Sequence, residues 1–258
     1  MRDVCWRVKD AVTPAPFRSL AGYYDAIYGF RDYARESRKT AEVIRQRLKS
    51  GGNRLLDVAC GTGEHLRFLR SEFEVEGLDL SEEMLEIARA KLPGITFHQG
   101  DMATFDLACE YDAVITLFSS IGYVKTVERL NTTLTCLARH TRPGGVVVVE
   151  PWFTPDAWKP DTVHAGLYGD TPELKIARVN TSFREGRISW FDLHHLVGTP
   201  EGTTHFVEHH ELGLFTIDEM RAAFEQAGLE TEYDAEGLTG RGLWVGAKPG
   251  GQSTATGH

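Results

Sequence analysis

The chain has 258 residues, a mass of 28.8 kDa and a formal charge of −9, from 37 acidic and 28 basic residues. An acidic chain disfavours nonspecific binding to nucleic acid or to an anionic membrane, because both need a cationic surface. No apolar run reaches the length of about 18 residues that a transmembrane helix requires, and the charged N-terminus is unlike a secretory signal. Four dispersed cysteines without a CxxC pair predict reduced thiols and a cytoplasmic protein.

The two ends of the chain differ in composition from the part between them. Residues 1–19 show no sustained period and predict a poorly ordered arm, whereas the Gly-, Ser- and Thr-rich residues 249–258 predict a disordered tail. The remaining residues, 20–248, are long enough for one large domain. A helical period over residues 33–48 opens that domain.

The middle of the chain alternates between short apolar runs and amphipathic segments. The pattern predicts strands over residues 54–59, 74–79, 95–98, 111–118 and 146–150, with helices over residues 64–72, 82–92 and 127–141. The last of these strands contains four consecutive valines, which is typical of a strand buried on both faces, as a parallel sheet requires. Strands that alternate with helices predict a doubly wound α/β sheet.

The period changes after residue 151. Three longer strands, over residues 174–184, 187–198 and 203–214, are separated by turns. They predict an antiparallel sheet within about residues 153–214, inserted before the last helix. That helix is predicted over residues 217–227, with Gly228 as its C-cap, and two closing strands follow over residues 229–233 and 243–247.

A glycine-containing loop lies where the first predicted strand leads into a helix. Gly61 and Gly63 let the backbone turn tightly and approach a ligand, and the following helix presents its N-terminal amides there. Leu66 stands where the dinucleotide fingerprint GxGxxG needs glycine or alanine, which disfavours a nicotinamide cofactor. Asp79 ends the next strand, where a carboxylate binds the hydroxyls of a ribose; a helix cap or a solvated acid is the alternative.

Asp101 and Met102 follow the third strand. The carboxylate of Asp101 can accept a hydrogen bond from the exocyclic amine of adenine, and the flexible thioether of Met102 can cover the ring. An ordinary strand-to-loop turn is the alternative. The residues at these strand ends are therefore suited to an adenine next to a ribose.

Three motifs at successive strand ends, DVACGTG (57–63), GLDLS (77–81) and GDM (100–102), resemble those of class I S-adenosylmethionine-dependent methyltransferases. Ala59 stands where that family usually has its first loop glycine. The resemblance implies a Rossmann-like fold, S-adenosylmethionine as methyl donor and S-adenosylhomocysteine as product. It assigns cofactor contacts to residues of the N-terminal segment and of the strand ends: Tyr33, Ala59, Gly61, Gly63, Asp79, Leu80, Asp101, Met102 and Phe118.

Segments outside the cofactor loop resemble a narrower group. Tyr24-Asp25 and Tyr33 precede the fold, FSSIGY (118–123) and EPWF (150–153) follow two strands, and TGRGL (239–243) lies between the closing strands. Together with the inserted sheet, they are similar to the N,N-dimethyltransferases of nucleotide-linked amino sugars, such as those that complete desosamine and mycaminose. This resemblance implies N-methylation of a nucleoside-diphosphate amino sugar in antibiotic biosynthesis.

Methyl transfer from a sulfonium needs an aligned, neutral nucleophile and no metal. Tyr123, Glu150 and Tyr24 are the predicted catalytic residues. Tyr123 orients the acceptor amine, and Glu150 holds a cationic or hydroxyl-bearing ligand, unless it is only a strand-end acid that caps or pairs. Tyr24 and Tyr33 form a lid over the cofactor, with core aromatics as the alternative. Acceptor contacts are assigned to four further residues: Ser120, Trp152, Arg178 and Arg241.

Arg241 lies between two glycines, which lets its guanidinium approach a phosphate in bidentate geometry. An acidic enzyme that binds a nucleoside diphosphate needs such a local cation. Five histidines also fall on neighbouring predicted strands: His194, His195, His205, His209 and His210. Because adjacent strand residues point to opposite faces, the pattern does not predict a metal site, and one or two of these histidines are expected to line the acceptor pocket.

Two other functions stay open. One is methyl transfer to a different small amine, hydroxyl or carboxylate. The other is a non-catalytic module that binds S-adenosylmethionine and holds a partner protein through the inserted sheet; the complete glycine loop and the flanking tyrosines argue against it. A homodimer formed through the inserted sheet is compatible with each function.

Overall fold

The computed structural model describes residues 20–250 of the chain. The predicted N-terminal arm, residues 1–19, and all of the predicted tail except residues 249 and 250 lie outside the described residues. Within the described part, no helix is long and apolar enough to cross a membrane.

The described chain forms two sheets and a set of helices that flank the larger sheet. In chain order, the strands are β1 (Arg54–Val58), β2 (Glu74–Asp79), β3 (Thr96–Gln99), β4 (Tyr111–Thr116), β5 (Thr141–Val149), β6 (Val163–Tyr168), β7 (Lys175–Glu185), β8 (Ile188–Thr199), β9 (Gly202–Gly213), β10 (Glu230–Asp234) and β11 (Leu243–Ala247). The α-helices are α1 (Tyr24–Ile27), α2 (Tyr33–Arg47), α3 (Glu64–Leu69), α4 (Glu82–Lys91), α5 (Val127–Arg139) and α6 (Ile217–Gln226). Short 3-10 helices cover Leu20–Tyr23 and Ser120–Val124. Every strand that the sequence predicts is present, with its ends displaced by a few residues.

The larger sheet has the strand order β10-β11-β5-β4-β1-β2-β3. The strands from β5 to β3 run parallel, and β11 is antiparallel to both of its neighbours. The predicted doubly wound α/β fold is confirmed. Chain order reverses between β1 and β4, and a ligand crevice opens outside the carboxyl ends of the strands at such a reversal.

The valine run of β5 lies at the centre of the core. Val147 and Val149 pack in one cluster with α5 and α6, whereas Val146 and Val148 pack in a second cluster with α2, α3 and α4. Successive strand residues point to opposite faces, so a single strand supplies both clusters. Burial of each such side chain contributes roughly 1.5–3 kcal/mol, which explains why this strand is apolar throughout.

The second sheet is antiparallel, with the order β6-β7-β8-β9. The sequence predicts three of its strands and misses β6, because VHAGLY is an edge strand with no regular alternation of polar and apolar residues. Alternate residues of the sheet point to opposite faces. Asn180 and His195 are buried on the inner face, and Val179 and Leu196 are exposed on the outer face.

The N-terminal segment connects the two sheets. Tyr23 and Ile27 pack against Ile176 and Val197 of the second sheet. On the other side, the carboxylate of Asp25 accepts hydrogen bonds from the Thr62 hydroxyl at 2.6 Å and from the Lys91 ammonium at 2.5 Å. Helix α1 is thereby held between the second sheet and the glycine loop.

A buried carboxylate secures the opposite, amino end of β1 and β4. Asp112 Oδ1 accepts a hydrogen bond from the Ser50 hydroxyl at 2.6 Å, and Oδ2 accepts one from the Arg54 amide at 2.9 Å. The Nη1 atom of Arg142 lies 3.4 Å from Oδ2. Although burial acts in the opposite direction, these hydrogen bonds and the charge of Arg142 lower the pKa of Asp112.

We expect Asp112→Asn to lower the free energy of unfolding at pH 7 by about 1.5–3 kcal/mol, the usual contribution of hydrogen bonds to a charged group. Because the pKa of Asp112 is lower in the folded than in the unfolded state, this stabilisation is complete above about pH 4 and is lost as the pH falls further. Urea unfolding of both proteins between pH 7 and pH 3 measures the difference. Glu225→Gln, at an exposed position of α6, is the matched control. A difference that did not shrink with acidification would contradict the assignment.

Candidate active site

A large cavity lies where the carboxyl ends of β1 and β4 face the second sheet. Its volume is about 1450 Å³, and its walls come from the N-terminal segment, the strand ends of the larger sheet and the inner face of the second sheet. Pockets for single small ligands measure roughly 300–1,000 Å³, so this cavity has room for two molecules side by side.

The glycine loop forms one wall of the cavity. Ala59 and Gly61 line it with φ angles of 63° and 55°, in the left-handed region that disfavours side chains other than glycine. A side chain at Gly61 would extend into open space, so a ligand can lie against this backbone. Gly63 does not line the cavity, which corrects the predicted cofactor contact. It begins α3 at φ 80°, and a Cβ atom there would lie 2.8 Å from the Leu92 side chain.

Asp79 lies beside this loop at the end of β2. Its Oδ2 atom accepts a hydrogen bond from the Gly61 amide at 2.7 Å, and Oδ1 accepts one from the Ser81 amide at 2.9 Å. Each oxygen keeps a lone pair that can accept from a hydroxyl in the cavity. Burial raises the pKa of Asp79 above its ordinary value, and the backbone amides partly offset that effect. Leu80, the next residue, is exposed at the cavity wall.

Asp101 and Met102 line the cavity at the end of β3. The Asp101 carboxylate accepts hydrogen bonds from the Ala103 amide at 2.8 Å and from the Arg129 guanidinium at 2.8 Å and 3.0 Å. The hydrogen bond from the Ala103 amide lowers the pKa of Asp101, and the hydrogen bonds and charge of Arg129 lower it further. The carboxylate is therefore charged at neutral pH. Arg129 is not predictable from the sequence, because nothing in its position on α5 indicates that it reaches the end of β3. The contact between Asp101 and an adenine stays a prediction.

Glu150 does not line the cavity, which corrects its predicted role as a ligand-binding acid. It is 0% exposed, and both of its oxygens are used internally. Oε2 accepts a hydrogen bond from the Phe118 amide at 2.7 Å, and Oε1 accepts one from the Thr239 hydroxyl at 2.6 Å. Glu150 therefore positions two loops that do line the cavity, as the alternative of a strand-end acid implied.

Three tyrosines meet at the cavity wall. The Tyr24 ring lies 4.6 Å from the Tyr28 ring, and Tyr123 lines the same space from the loop after β4. Burial raises the pKa of both Tyr24 and Tyr123, so their hydroxyls are protonated at neutral pH and donate hydrogen bonds. Tyr33 does not line the cavity. It packs edge-on against His65 at 5.0 Å, which corrects its predicted place in a lid and favours the core alternative.

Behind Tyr123 lie His210, which is one of the five histidines of which one or two are expected at the acceptor pocket, and Glu208, to which the sequence assigns no role. The Tyr123 hydroxyl is 2.8 Å from Nδ1 of His210, and Nε2 of His210 is 3.7 Å from Oε2 of Glu208. Nε2 of the buried His195 lies 3.3 Å from the same carboxylate oxygen. His210 lines the cavity, whereas His209 points away from it and pairs with Asp192. The period of two along β9 predicts such a division, but the sequence alone does not show which half faces inward.

Cations and aromatic rings line the far part of the cavity. Arg241 donates a hydrogen bond to the Ser119 hydroxyl at 3.2 Å, and its guanidinium lies 5.0 Å from the centre of the Trp152 ring and 5.1 Å from that of Phe153. Burial lowers the pKa of Arg241. Arg178 donates to the Tyr168 hydroxyl at 2.9 Å. Within residues 20–250, neither arginine forms an ion pair with a carboxylate.

The structure brings most of the predicted site residues together in this one cavity. They are Tyr24, Ala59, Gly61, Asp79, Leu80, Asp101, Met102, Phe118, Ser120, Tyr123, Trp152, Arg178 and Arg241. The arrangement combines a ribose-binding carboxylate, protonated hydroxyls and unpaired cations. It is suited to hold a nucleoside cofactor next to an anionic acceptor.

Comparison with known proteins identifies the family. Residues 55–145 match the family model described as a methyltransferase domain. The chain is also 44% identical over 230 residues to dTDP-3-amino-3,4,6-trideoxy-alpha-D-glucopyranose N,N-dimethyltransferase of Streptomyces venezuelae. That alignment covers 88% of this chain and 96% of the relative.

Two solved structures extend the likeness to the whole fold. The crystal structure of Streptomyces venezuelae DesVI is 43% identical, with a TM-score of 0.85, over 90% of this chain and 98% of that one. The SAM-bound structure of CalS10, an amino pentose methyltransferase from Micromonospora echinaspora, is 36% identical, with a TM-score of 0.80, over 94% of this chain and 100% of that one. The chain therefore belongs to the S-adenosylmethionine-dependent methyltransferases, in the group of sugar N,N-dimethyltransferases.

Proposed function

We propose that the enzyme transfers methyl groups from S-adenosylmethionine to the amino nitrogen of a dTDP-linked amino sugar. This choice of acceptor is based on Arg241. Its guanidinium lies in the cavity wall and forms no ion pair with the described residues. A largely buried cation without a counter-ion is costly, and a binding site retains one where an anion arrives with the ligand. The pyrophosphate of a nucleotide sugar is such an anion, and its geometry suits a guanidinium. The name of the Streptomyces venezuelae relative supports the same class of acceptor.

Residues at the ends of β1 to β4 are assigned to the cofactor. Asp79 accepts the ribose hydroxyls, and the open backbone at Gly61 lets the cofactor lie against the loop. Asp101 accepts a hydrogen bond from the adenine amine, and Met102 and Leu80 cover the ring. Ala59 and Phe118 complete the wall. The residues assigned to the cofactor are therefore Ala59, Gly61, Asp79, Leu80, Asp101, Met102 and Phe118. The sulfonium of S-adenosylmethionine supplies an already activated methyl group.

The chain's remaining task is to align the acceptor nitrogen. Alignment at about 3–3.5 Å from the reacting carbon removes roughly 7–11 kcal/mol of the barrier. The hydroxyls of Tyr123 and Tyr24 are assigned to orient the amine. Arg241, Arg178, Trp152 and Ser120 are assigned to the sugar nucleotide, whose pyrophosphate and base need cations and rings, respectively.

Purified enzyme incubated with S-adenosylmethionine and dTDP-linked 3-amino or 4-amino sugars is expected to give N-methylated and then N,N-dimethylated products by mass spectrometry. The value of kcat/KM should exceed that for the free amino sugar by at least about 100-fold, because the free sugar lacks the charge-assisted contacts to the arginines. Free thymidine diphosphate should inhibit competitively with the acceptor. Equal activity on simple amines, with no inhibition by thymidine diphosphate, would instead favour a small acceptor without a nucleotide.

Two substitutions are expected to separate the ligands. Asp79→Ala should weaken S-adenosylmethionine binding about 10- to 100-fold in calorimetry, because a charged acceptor contributes about 1.5–3 kcal/mol through its hydrogen bonds. Arg241→Ala should raise the acceptor KM by a similar factor and leave cofactor affinity nearly unchanged. Glu83→Ala and Arg38→Ala, at exposed helical positions, remove the same charges elsewhere. If either variant weakened the binding of S-adenosylmethionine and of the acceptor equally, the two subsites would be assigned incorrectly.

A second copy of the chain is proposed to cover the outer face of the second sheet. Large apolar side chains on this face are 49% to 58% exposed: Leu167, Val179, Leu196 and Val207. Cross-strand pairing puts Val179 and Val207 on either side of His194, so these side chains face the same side of the sheet. A contiguous apolar patch on one sheet face is typical of a subunit interface.

Leu196→Glu is expected to convert a dimer into a monomer, because it puts a charge at the centre of this face. Light scattering coupled to size-exclusion chromatography, at several protein concentrations, measures the mass. Gln226→Glu adds the same charge at an exposed position of α6 and should leave the dimer intact. A wild-type monomer at every concentration, or a dimer that persists in Leu196→Glu, would contradict this interface.

A cytoplasmic location is proposed as well. Cys60, Cys109 and Cys136 are free thiols. Unpaired thiols are typical of proteins in a reducing compartment.

A further inference from the structure

Three side chains form a row that leads from the cavity into the second sheet. The Tyr123 hydroxyl is 2.8 Å from Nδ1 of His210, and Glu208 lies on the other side of the imidazole, with Oε2 3.7 Å from Nε2. Tyr123, His210 and Glu208 all line the cavity. Because Glu208 and His210 are two residues apart on β9, they face the same side of the sheet.

The row does not have the geometry of a purely structural network. Nε2 of His210 is buried and has no hydrogen-bond partner among the described residues, and its contact with Oε2 of Glu208, at 3.7 Å, is at ion-pair distance. Buried polar atoms without partners cost free energy, and native proteins retain few of them. An arrangement that leaves this nitrogen beside a carboxylate, without a hydrogen bond, therefore points to a role in chemistry rather than in stability.

We propose that His210 takes the proton that the acceptor amine must lose before methyl transfer, and that Tyr123 passes it on. This inference rests on the proposed function, since it requires an amine acceptor. An amino sugar arrives largely as an ammonium ion near neutral pH, and an ammonium has no lone pair with which to attack the methyl group.

The ammonium N–H donates its proton to the oxygen of Tyr123 while the Tyr123 O–H proton moves to Nδ1 of His210, so the amine becomes neutral and the imidazole becomes an imidazolium. The amine lone pair then forms the new N–C bond, the C–S bond breaks, and its electron pair stays on sulfur as S-adenosylhomocysteine leaves. The imidazolium returns its proton to water. A second transfer to the same nitrogen repeats the cycle.

Neither neighbour can replace His210 as the proton acceptor. Burial raises the pKa of Tyr123, so its phenol stays protonated and can only relay a proton. Although burial acts in the opposite direction, contacts with His195 and His210 lower the pKa of Glu208 to about 2, so it remains a carboxylate. Its charge stabilises the imidazolium next to it. An imidazole is the side chain that commonly accepts and releases a proton in acid–base catalysis.

The groups packed around the imidazole come from three elements. Tyr123 belongs to the 3-10 helix Ser120–Val124, Glu208 shares β9 with His210, and the Phe191 ring faces the imidazole from β8. His195, also on β8, contacts Glu208 rather than the imidazole. Glu208 is the carboxylate that lies within ion-pair distance of His210 among the described residues.

The test compares His210→Asn and His210→Ala with the wild type across pH. The asparagine oxygen can still accept from Tyr123 but cannot take up a proton, so it separates positioning from proton transfer. Both variants are expected to lose about 10²-fold in kcat at pH 7, the usual range for an acid–base residue. The loss should shrink as the pH rises through the amine pKa, where the acceptor arrives neutral, and added imidazole should partly restore His210→Ala. His209→Ala, on the opposite face of the same strand, should behave as wild type.

Binding of S-adenosylmethionine, measured by calorimetry, should be unchanged in both variants and shows that they are folded. A rate and pH profile for His210→Asn equal to those of the wild type would overturn the proposal, since His210 would then only position Tyr123. A loss that neither high pH nor imidazole reverses would overturn it as well. The variants are assayed with whichever amine the wild type methylates. If the wild type methylates other amines but no nucleotide-linked amino sugar, the proposed acceptor is refuted, and the relay can still be tested with those amines. If the wild type methylates no amine, both the proposed acceptor and the relay are refuted.

Discussion

The ligand-binding edge of the larger sheet depends on two hydrogen bonds that the carboxylate of Glu150 accepts. Glu150 ends β5, is fully buried, and accepts one hydrogen bond from the loop after β4 and one from the loop between β10 and β11. Phe118 and Ser119 on the first loop have φ angles of 53° and 60°, a conformation that costs roughly 1–2 kcal/mol for each residue with a side chain. A charged acceptor for the Phe118 amide offsets part of that cost. A residue that touches no ligand thus fixes the residues that do.

The same carboxylate also explains how a cation is tolerated on the cavity wall. Arg241 follows Thr239 by two residues, and the charge of Glu150 acts on its guanidinium. The attraction falls short of an ion pair, so the guanidinium is held near the cavity but keeps its donors for a ligand. An acidic protein of net charge −9 can in this way keep a local site for an anion. Overall charge therefore says little about the sign of the potential inside the cavity.

The parts of the fold that depend on local pattern are predictable from the sequence, and the parts that depend on register are not. The valine run and the loop at Gly61 follow from backbone preferences, and the structure has both. Whether Glu150 points to a ligand or into the core depends on where the Phe118 amide lies, which is set by the pairing of distant strands. The need for glycine at position 63 is explained by close packing against the Leu92 side chain, and the spacing of residues in the sequence does not predict that contact.

The inward face of β9 is the clearest case of such a limit. His209 and His210 are neighbours of the same type, and a shift of one residue in strand pairing would exchange their environments. Only the register with β8, which pairs Asp192 with His209 and Phe191 with His210, decides which imidazole meets Tyr123. Chemistry that depends on one face of a strand therefore becomes visible only with the fold.

The second sheet is built from one contiguous stretch of chain, residues 163–213, and shares no strand with the larger sheet. The wall that faces the acceptor can thus change in sequence while the strand ends assigned to the methyl donor, and the buried carboxylate behind them, stay as they are. Inner-face residues such as Arg178 and Asn180 alternate with outer-face residues, so one substitution reshapes the cavity without altering the opposite surface. In evolutionary terms, the architecture separates this part of the cavity wall from the strand ends assigned to the methyl donor, so residues of the segment other than Glu208 and His210 can drift while the cofactor site stays unchanged.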